Sequence, residues 1–430
     1  MKKIISILLM AITTFSVCIF GSCEKNISTV LAEPKQNTFD KDYYAFKGAD
    51  EFMNGLTDFS AEFSETYAKT TSSNENFSIS PVSVFMALCL AEKCADGQTK
   101  TELLNALNLS ESVLDEYAGK LYRALNVEYT TSGPFNTQKT VALSRFTNSI
   151  WLDDEVNFKQ PVLNELAEKL YCYSFKASFS SDTSKANKSV KEFVKQNTKG
   201  LIDQDFKLSP DTLFVLINTL YLKEVWNELG RDLIETEPKT FVNSDSTERK
   251  TPFLTGDYVF GAPYEGENYS AFYTRTWHGY KLCFILPENG ATIEQAFNFE
   301  NIAEVIKGDI FRSTENAYEC ETRCLFPSFT ADSNKDIKNV LSSMGIKSMF
   351  TDCNMTKLTD DEVYCSKVVH SSKLKVDKKG IEGAAVTAVV GDKSMAPAEI
   401  KLDYVINRAF GFVLLSSENI PLFSGIVNRI

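Results

Sequence analysis

A single α+β domain, with helices mostly early in the chain and sheets late, is the fold class this sequence predicts. Three observations predict it. The composition is 43% hydrophobic and 24% charged over 430 residues, with 31 Phe and 17 Tyr, which is ordinary globular material sufficient for a large core. Amphipathic helical spacing dominates the first part of the chain, and apolar runs of strand length dominate the later part. No internal repeat, low-complexity block or Pro/Gly linker interrupts residues 45–430.

The first residues read as an export signal. Lys2 and Lys3 precede an apolar run, Ile4 to Phe20, that has signal-peptide length and no basic stop-transfer flank. Residues 1–22 are expected to be removed. Phe20-Gly21-Ser22-Cys23 resembles a bacterial lipobox, with Phe20 where Leu is usual. Cys23 is accordingly the candidate for lipidation, with plain secretion as the alternative. Residues 23–44 are polar and lack helical period, so they read as a tether. The expected location is extracellular or cell-envelope, with the membrane reached only through that lipid.

Within the domain, Phe52, Leu56, Phe59, Phe63 and Tyr67 recur every three or four residues, which predicts an amphipathic first helix. Ser80-Pro81 opens a second, and its Val84–Leu90 stretch is apolar nearly all round, as a buried helix requires. Further helices are expected near 100–108, 111–125, 160–170, 187–198 and 335–344. The run Leu213–Leu222 is too apolar for a half-exposed strand and belongs in the middle of a covered sheet. Lys281–Pro287, Tyr364–Val369, Gly411–Leu415 and Leu422–Val427 complete the expected strands.

The remaining chemistry is sparse. Lys and Arg total 45 against 57 Asp and Glu, a net charge of −12, which argues against a nucleic-acid partner. His278 and His370 are the only two histidines, too few for a multi-histidine metal site, and no GxSxG elbow accompanies them. Cofactor and metal are therefore not expected, nor is hydrolase activity. The cysteines after Cys23 are scattered without a CxxC pair; Cys89 and Cys283 sit in core-like runs, and Cys320 and Cys324 are too far apart on a strand to bridge. Asn218 and His370 each interrupt an apolar strand, where an unpaired polar group costs about 1–3 kcal/mol, so each needs a partner.

Several motifs resemble the serpin family, in register over the whole domain. Asn76–Ser83 resembles the opening of the family's central helix, Asn148-Ser149-Ile150-Trp151 a strand start, and Thr198–Ile202 the turn after a helix. Asn218–Lys223 followed by Trp226 resembles the strand leading to the region called the breach, with Glu224 where Gly is usual. Ser366–His370 and Leu422–Asn428 are similar to the strand before the reactive loop and to the C-terminal signature.

The resemblance implies a single serpin-type domain at 45–430, with helices packed around three β-sheets and an exposed reactive loop at about 378–400. It implies a shutter in which Asn218 and His370 pair near Ser80 and Ser83, and a breach at Trp226. Gly380, Ile381, Glu382, Gly383, Ala384, Ala385, Val386 and Thr387 resemble an inhibitory hinge, small enough to enter a sheet; read alone, they would be a small-residue loop. Ile381 stands where Thr or Ser is usual, and Lys378 where an acid is usual. By period two, Ile381, Gly383, Ala385 and Thr387 would face the core after insertion and Glu382 would face water. The family spacing puts the scissile bond at Ser394–Met395, with Lys393 as the neighbouring candidate. The implied function is suicide-substrate inhibition of serine proteases, with cysteine proteases as further targets, by a monomer that is not itself an enzyme. A non-inhibitory serpin acting as a binding or transport scaffold is the alternative.

Overall fold

The computed structural model describes residues 29–36, 45–132, 138–227, 231–313, 319–365, 367–382 and 400–430. The chain enters as β1 (Thr29–Ala32), followed by α1 (Asp50–Ala68), β2 (Phe77–Ile79), α2 (Pro81–Cys94), α3 (Gly97–Leu107) and α4 (Glu111–Ala124). The hairpin of β3 (Val127–Ser132) and β4 (Gln138–Asp153) leads to α5 (Gln160–Lys169), β5 (Cys172–Ala177), α6 (Thr183–Asn197) and β6 (Phe214–Val225). Short strands follow: β7 (Ile234–Glu235), β8 (Lys239–Val242), β9 (Glu248–Thr251), β10 (Phe253–Thr255), β11 (Val259–Phe260) and β12 (Tyr264–Glu265). Then come β13 (Tyr269–Arg275), β14 (Lys281–Pro287), α7 (Ile293–Ala296), α8 (Phe299–Lys307) and α9 (Ile310–Ser313). The last part holds β15 (Cys320–Pro327), β16 (Phe329–Asp336), α10 (Lys338–Ser343), β17 (Val369–Asp377), β18 (Gly380–Ile381), β19 (Ile400–Val405), β20 (Phe410–Leu415) and β21 (Pro421–Val427).

Three sheets and a small hairpin, β8–β9, organise these strands. The large sheet runs β1-β5-β4-β6-β18-β17-β16, with β3 added on β4. A second sheet runs β12-β13-β14-β20-β21-β2, and a third joins β11, β15, β10 and β7 with β19 parallel on β15. The helix α2 is apolar all round because it lies between layers: Val82, Phe85, Met86 and Leu90 are fully or almost fully buried in the main core. Above the large sheet, Phe193 and Val194 of α6 pack on Trp151, Phe175, Val215 and Ile217 in a separate core. β6 is thus covered on both faces, which explains its unbroken apolar run.

Two expectations need correction. The strand expected at Tyr364–Val369 lies later, at Val369–Asp377. Its Lys373 and Lys375 alternate with buried Leu374 and Val376, so it is a half-exposed strand whose charges mask its period. The stretch 23–44 is not purely a tether: Thr29–Ala32 pairs antiparallel with β5, and Gln160 Nε2 donates to Leu31 O at 3.0 Å. Four residues are too few to show a period, and only the free edge of β5 reveals their role. The eight cysteines of the described residues are all free, Cys89, Cys283, Cys320 and Cys324 among those buried.

Candidate functional site

Among the described residues the large sheet is incompletely paired at its middle. Among the described residues no ladder joins β6 directly to β17. The two residues of β18 bridge them at one end, Gly380 opposite Val225 and Asp377, and Ile381 opposite Glu224 and Val376. Below that bridge lies a cleft of about 40 Å³ lined by Leu216, Asn218 and Thr219 on one side and Val369, His370 and Ser371 on the other.

Gly380 and Ile381, the first residues of the expected hinge, lie inside the sheet. Ile381 is fully buried and belongs to the main core. Gly380 has φ +155°, and a Cβ there would sit 2.0 Å from Glu224 O, so only glycine fits between the two strands. Glu382 has φ +58°, a left-handed conformation that turns the chain out of the ladder. Such a conformation costs about 1–2 kcal/mol in a non-glycine residue. Its N–H still reaches Lys375 O at 2.7 Å. Its carboxyl lies half-buried beside Tyr221, with its pKa raised chiefly by burial.

Trp226 anchors the turn ahead of the hinge. It is buried, and its Nε1–H donates to Asp377 O at 2.7 Å. Leu233 N–H donates to Lys378 O at 2.7 Å, and Lys378 Nζ lies 3.4 Å from Glu235 Oε2. Lys378, standing where an acid is usual, therefore forms an ion pair with Glu235 on β7. Glu224, which stands where Gly is usual in the family, stays within β6 and is buried with no exposure. Its Oε2 lies 3.1 Å from His278 Nδ1, and the imidazole stacks on Tyr129 at 3.9 Å. Burial raises the carboxyl pKa, and the His278 contact opposes that rise. Nothing in the sequence pattern linked Glu224 to His278; they meet only because the β13–β14 turn packs under the end of β6.

The shutter differs from the implied pairing. His370 does not bond Asn218: its Nε2 accepts from Ser80 N–H at 3.0 Å. Burial lowers the imidazole pKa to about 4, so it is neutral and suited to accept. Ser80 Oγ bonds Ser83 Oγ at 2.9 Å and donates to Leu422 O at 2.8 Å. Asn218 donates instead to Asn148 Oδ1, and Asn148 Nδ2 donates to Leu170 O at 2.7 Å. Asn218 Oδ1 is left buried without a hydrogen-bond partner. The two residues line opposite walls of the cleft, and the missing ladder separates them. Gly383, Ala384, Ala385, Val386, Thr387, Lys393, Ser394, Met395 and Cys23 lie outside the described residues.

With this architecture in hand, the comparisons are direct. Residues 54–430 match the family described as Serpin (serine protease inhibitor), and the chain belongs to that family. It is 27% identical to Serpin A3-6 of Bos taurus over 366 residues, 83% of each chain. It is 25% identical to Alpha-1-antiproteinase S of Cavia porcellus, covering 82% of this chain and 84% of that one. Among solved structures it resembles the thermophilic serpin tengpin in the native state, at TM-score 0.73 and 22% identity, covering 94% of this chain and all of that one. Thyroxine-binding globulin complexed with thyroxine is similar at TM-score 0.69 and 20% identity, covering 89% of this chain and 99% of that one. The fold therefore does not by itself define an inhibitor.

Proposed function

We propose that this serpin is a suicide-substrate inhibitor of serine proteases, and of cysteine proteases by the same route. The observation that carries the reading is the hinge, already seated at Gly380–Ile381 as the first rung between β6 and β17. A protease serine attacks the Ser394 carbonyl, and the Ser394–Met395 bond breaks, with Lys393 marking the neighbouring alternative. Met395 leaves with a new amino group while Ser394 stays esterified to the enzyme. Residues 383–394 then enter the cleft as a strand. About a dozen new backbone hydrogen bonds at about 1 kcal/mol each contribute on the order of 10 kcal/mol, comparable to the stability of a typical domain. The tethered protease is dragged to the far end before water cleaves the ester. The protein turns over no substrate of its own, and a monomer suffices.

Incubation with trypsin-type and elastase-type proteases tests this. An SDS-resistant complex and a mass-mapped cut at Ser394–Met395 are expected. Loop cleavage without a complex would favour a binding or transport scaffold instead.

We further propose export and lipidation at Cys23. Thr29 pairs with Lys176 at the Phe214 end of β6, whereas the hinge joins at Val225. Thr29 lies six positions after Cys23, a reach of at most about 20 Å. An anchor there would hold the domain at the end of the sheet opposite Gly380–Ile381. Two acyl chains give durable attachment where one does not. Cys23→Ala should move the protein out of the membrane fraction and leave inhibition by the purified domain unchanged; unaltered fractionation would sink the anchor alone.

A further inference from the structure

Exposed large apolar side chains in this protein are not scattered. Of the six among the described residues, four lie on the sheet that receives the far end of the loop or in its flanks: Ile234, Tyr258, Phe260 and Ile400. Tyr258 is 37% and Phe260 41% exposed. Register places Phe260 beside Glu321, and Glu321 beside Lys401; one pleat further, Arg323 lies beside Asp403. Alternation therefore puts Tyr258, Phe260, Glu321, Arg323, Lys401 and Asp403 on one face. Arg323 and Lys401 lie over the Tyr258 ring, at 5.1 Å and 4.8 Å from its centroid. The charges on this face are paired, Arg323 Nε with Asp403 Oδ1 at 2.6 Å and Lys401 with Glu321 at 4.0 Å. What remains to offer a partner is aromatic surface propped up by cation stems.

The position of this face is fixed by the chain. The segment 383–399 ends directly on β19, whose first residue, Ile400, pairs with Cys320. Met395 is five residues from Ile400, so the scissile bond lies within about 18 Å of this strand. A protease domain of about 230 residues has a radius of gyration near 17 Å and is about 45 Å across. An enzyme gripping Ser394–Met395 extends about 22 Å to either side of that bond, enough to reach the sheet.

We propose that Tyr258 and Phe260 are a second docking surface for the target protease, which adds contact beyond the loop and helps choose the enzyme; this rests on the reactive-loop reading above. The partner is a protease with an apolar, weakly charged rim beside its active-site cleft. Exposed aromatics on a neutralised face are the residue types that become binding hot spots, and paired charges leave little long-range steering.

The test is the second-order rate constant for attack on the loop, measured with whichever trypsin-type or elastase-type enzyme the wild type engages fastest. Tyr258→Ser with Phe260→Ser should lower it about tenfold, equally at low and high salt, with unchanged stoichiometry and melting temperature. Tyr258→Phe keeps the ring and should keep the rate, and Tyr364→Ser, 46% exposed elsewhere, should change nothing. A double variant within twofold of wild type overturns the proposal. If the wild type is cut without forming a covalent complex, the inhibitor reading fails, yet the ratio of cleavage rates still decides whether the aromatic face is used.

Discussion

Replacing Gly380 by Ala tests whether the seated hinge matters. The added Cβ would meet Glu224 O at 2.0 Å, Glu224 C at 3.1 Å and Val225 Cα at 3.3 Å, all backbone atoms of a central strand. Ordinary contact needs more than 3 Å, so β18 and β6 must separate by about 1 Å. Overpacking of this kind costs about 1–3 kcal/mol, and the positive φ adds strain that alanine bears poorly. The cheaper response is for Gly380–Ile381 to leave the sheet, which forfeits ladder bonds at about 1 kcal/mol each and re-exposes Ile381 at about 1.5–3 kcal/mol. Either way the variant loses roughly 3 kcal/mol or more of local stability, and the first rung of insertion must be rebuilt before the acyl-enzyme hydrolyses. We expect a lower melting temperature and a shift from trapped complex toward cleaved inhibitor, seen as a rise in the moles of serpin needed per mole of protease. Gly48→Ala is the control, because that residue has φ +75° but nothing within 4 Å. Wild-type stoichiometry in Gly380→Ala, with wild-type melting, would refute the claim that the hinge begins inside the sheet.

Three further outcomes are expected. His370 is held neutral by burial, with its pKa lowered from 6.5 to about 4, so the unfolded chain binds its proton first: about 3 kcal/mol of stability is lost as pH falls from 6.5 to about 4, and His370→Gln should flatten that limb of the melting-temperature profile. Thr387→Arg should turn inhibitor into substrate, because insertion would carry an unpaired charge into the core; undiminished trapping would show the assigned orientation to be wrong. Cleavage between Val390 and Pro397 should raise the melting temperature, and an equal or lower value would mean that the loop does not insert.

Much of this was legible in the sequence because it depends on local pattern. The runs at Leu213–Leu222 and Val84–Leu90 announce burial on both faces, and both elements lie where two packed layers require it. What stayed hidden depends on long-range closure. The partner of His370 is a backbone N–H almost 300 positions earlier in the chain, and no side-chain pattern encodes a backbone donor. Asn148 was visible as part of a motif, but its bond to Asn218 follows from the β4–β6 register. β1 was missed because four residues carry no period, and Val369–Asp377 because its outward lysines resemble a loop.

His370 lines the cleft between β6 and β17, and His278 meets Glu224 beside Gly380–Ile381, so acid has opposite effects at the two positions. At the shutter His370 holds Ser80 through a neutral nitrogen, so falling pH works against the closed arrangement. At the breach His278 meets the buried Glu224, whose raised carboxyl pKa means that the fold binds that proton more tightly than the unfolded chain does. Falling pH therefore favours the breach arrangement on the Glu224 side while it weakens the shutter. The hinge enters at the breach, and the cleft below it ends at the shutter. Falling pH thus weakens the His370–Ser80 contact and favours the protonated Glu224 side chain. The departure at Glu224 is then compatible with loop insertion: a buried acid beside the hinge is tolerated because an imidazole already faces it, and its backbone remains free to pair with Ile381.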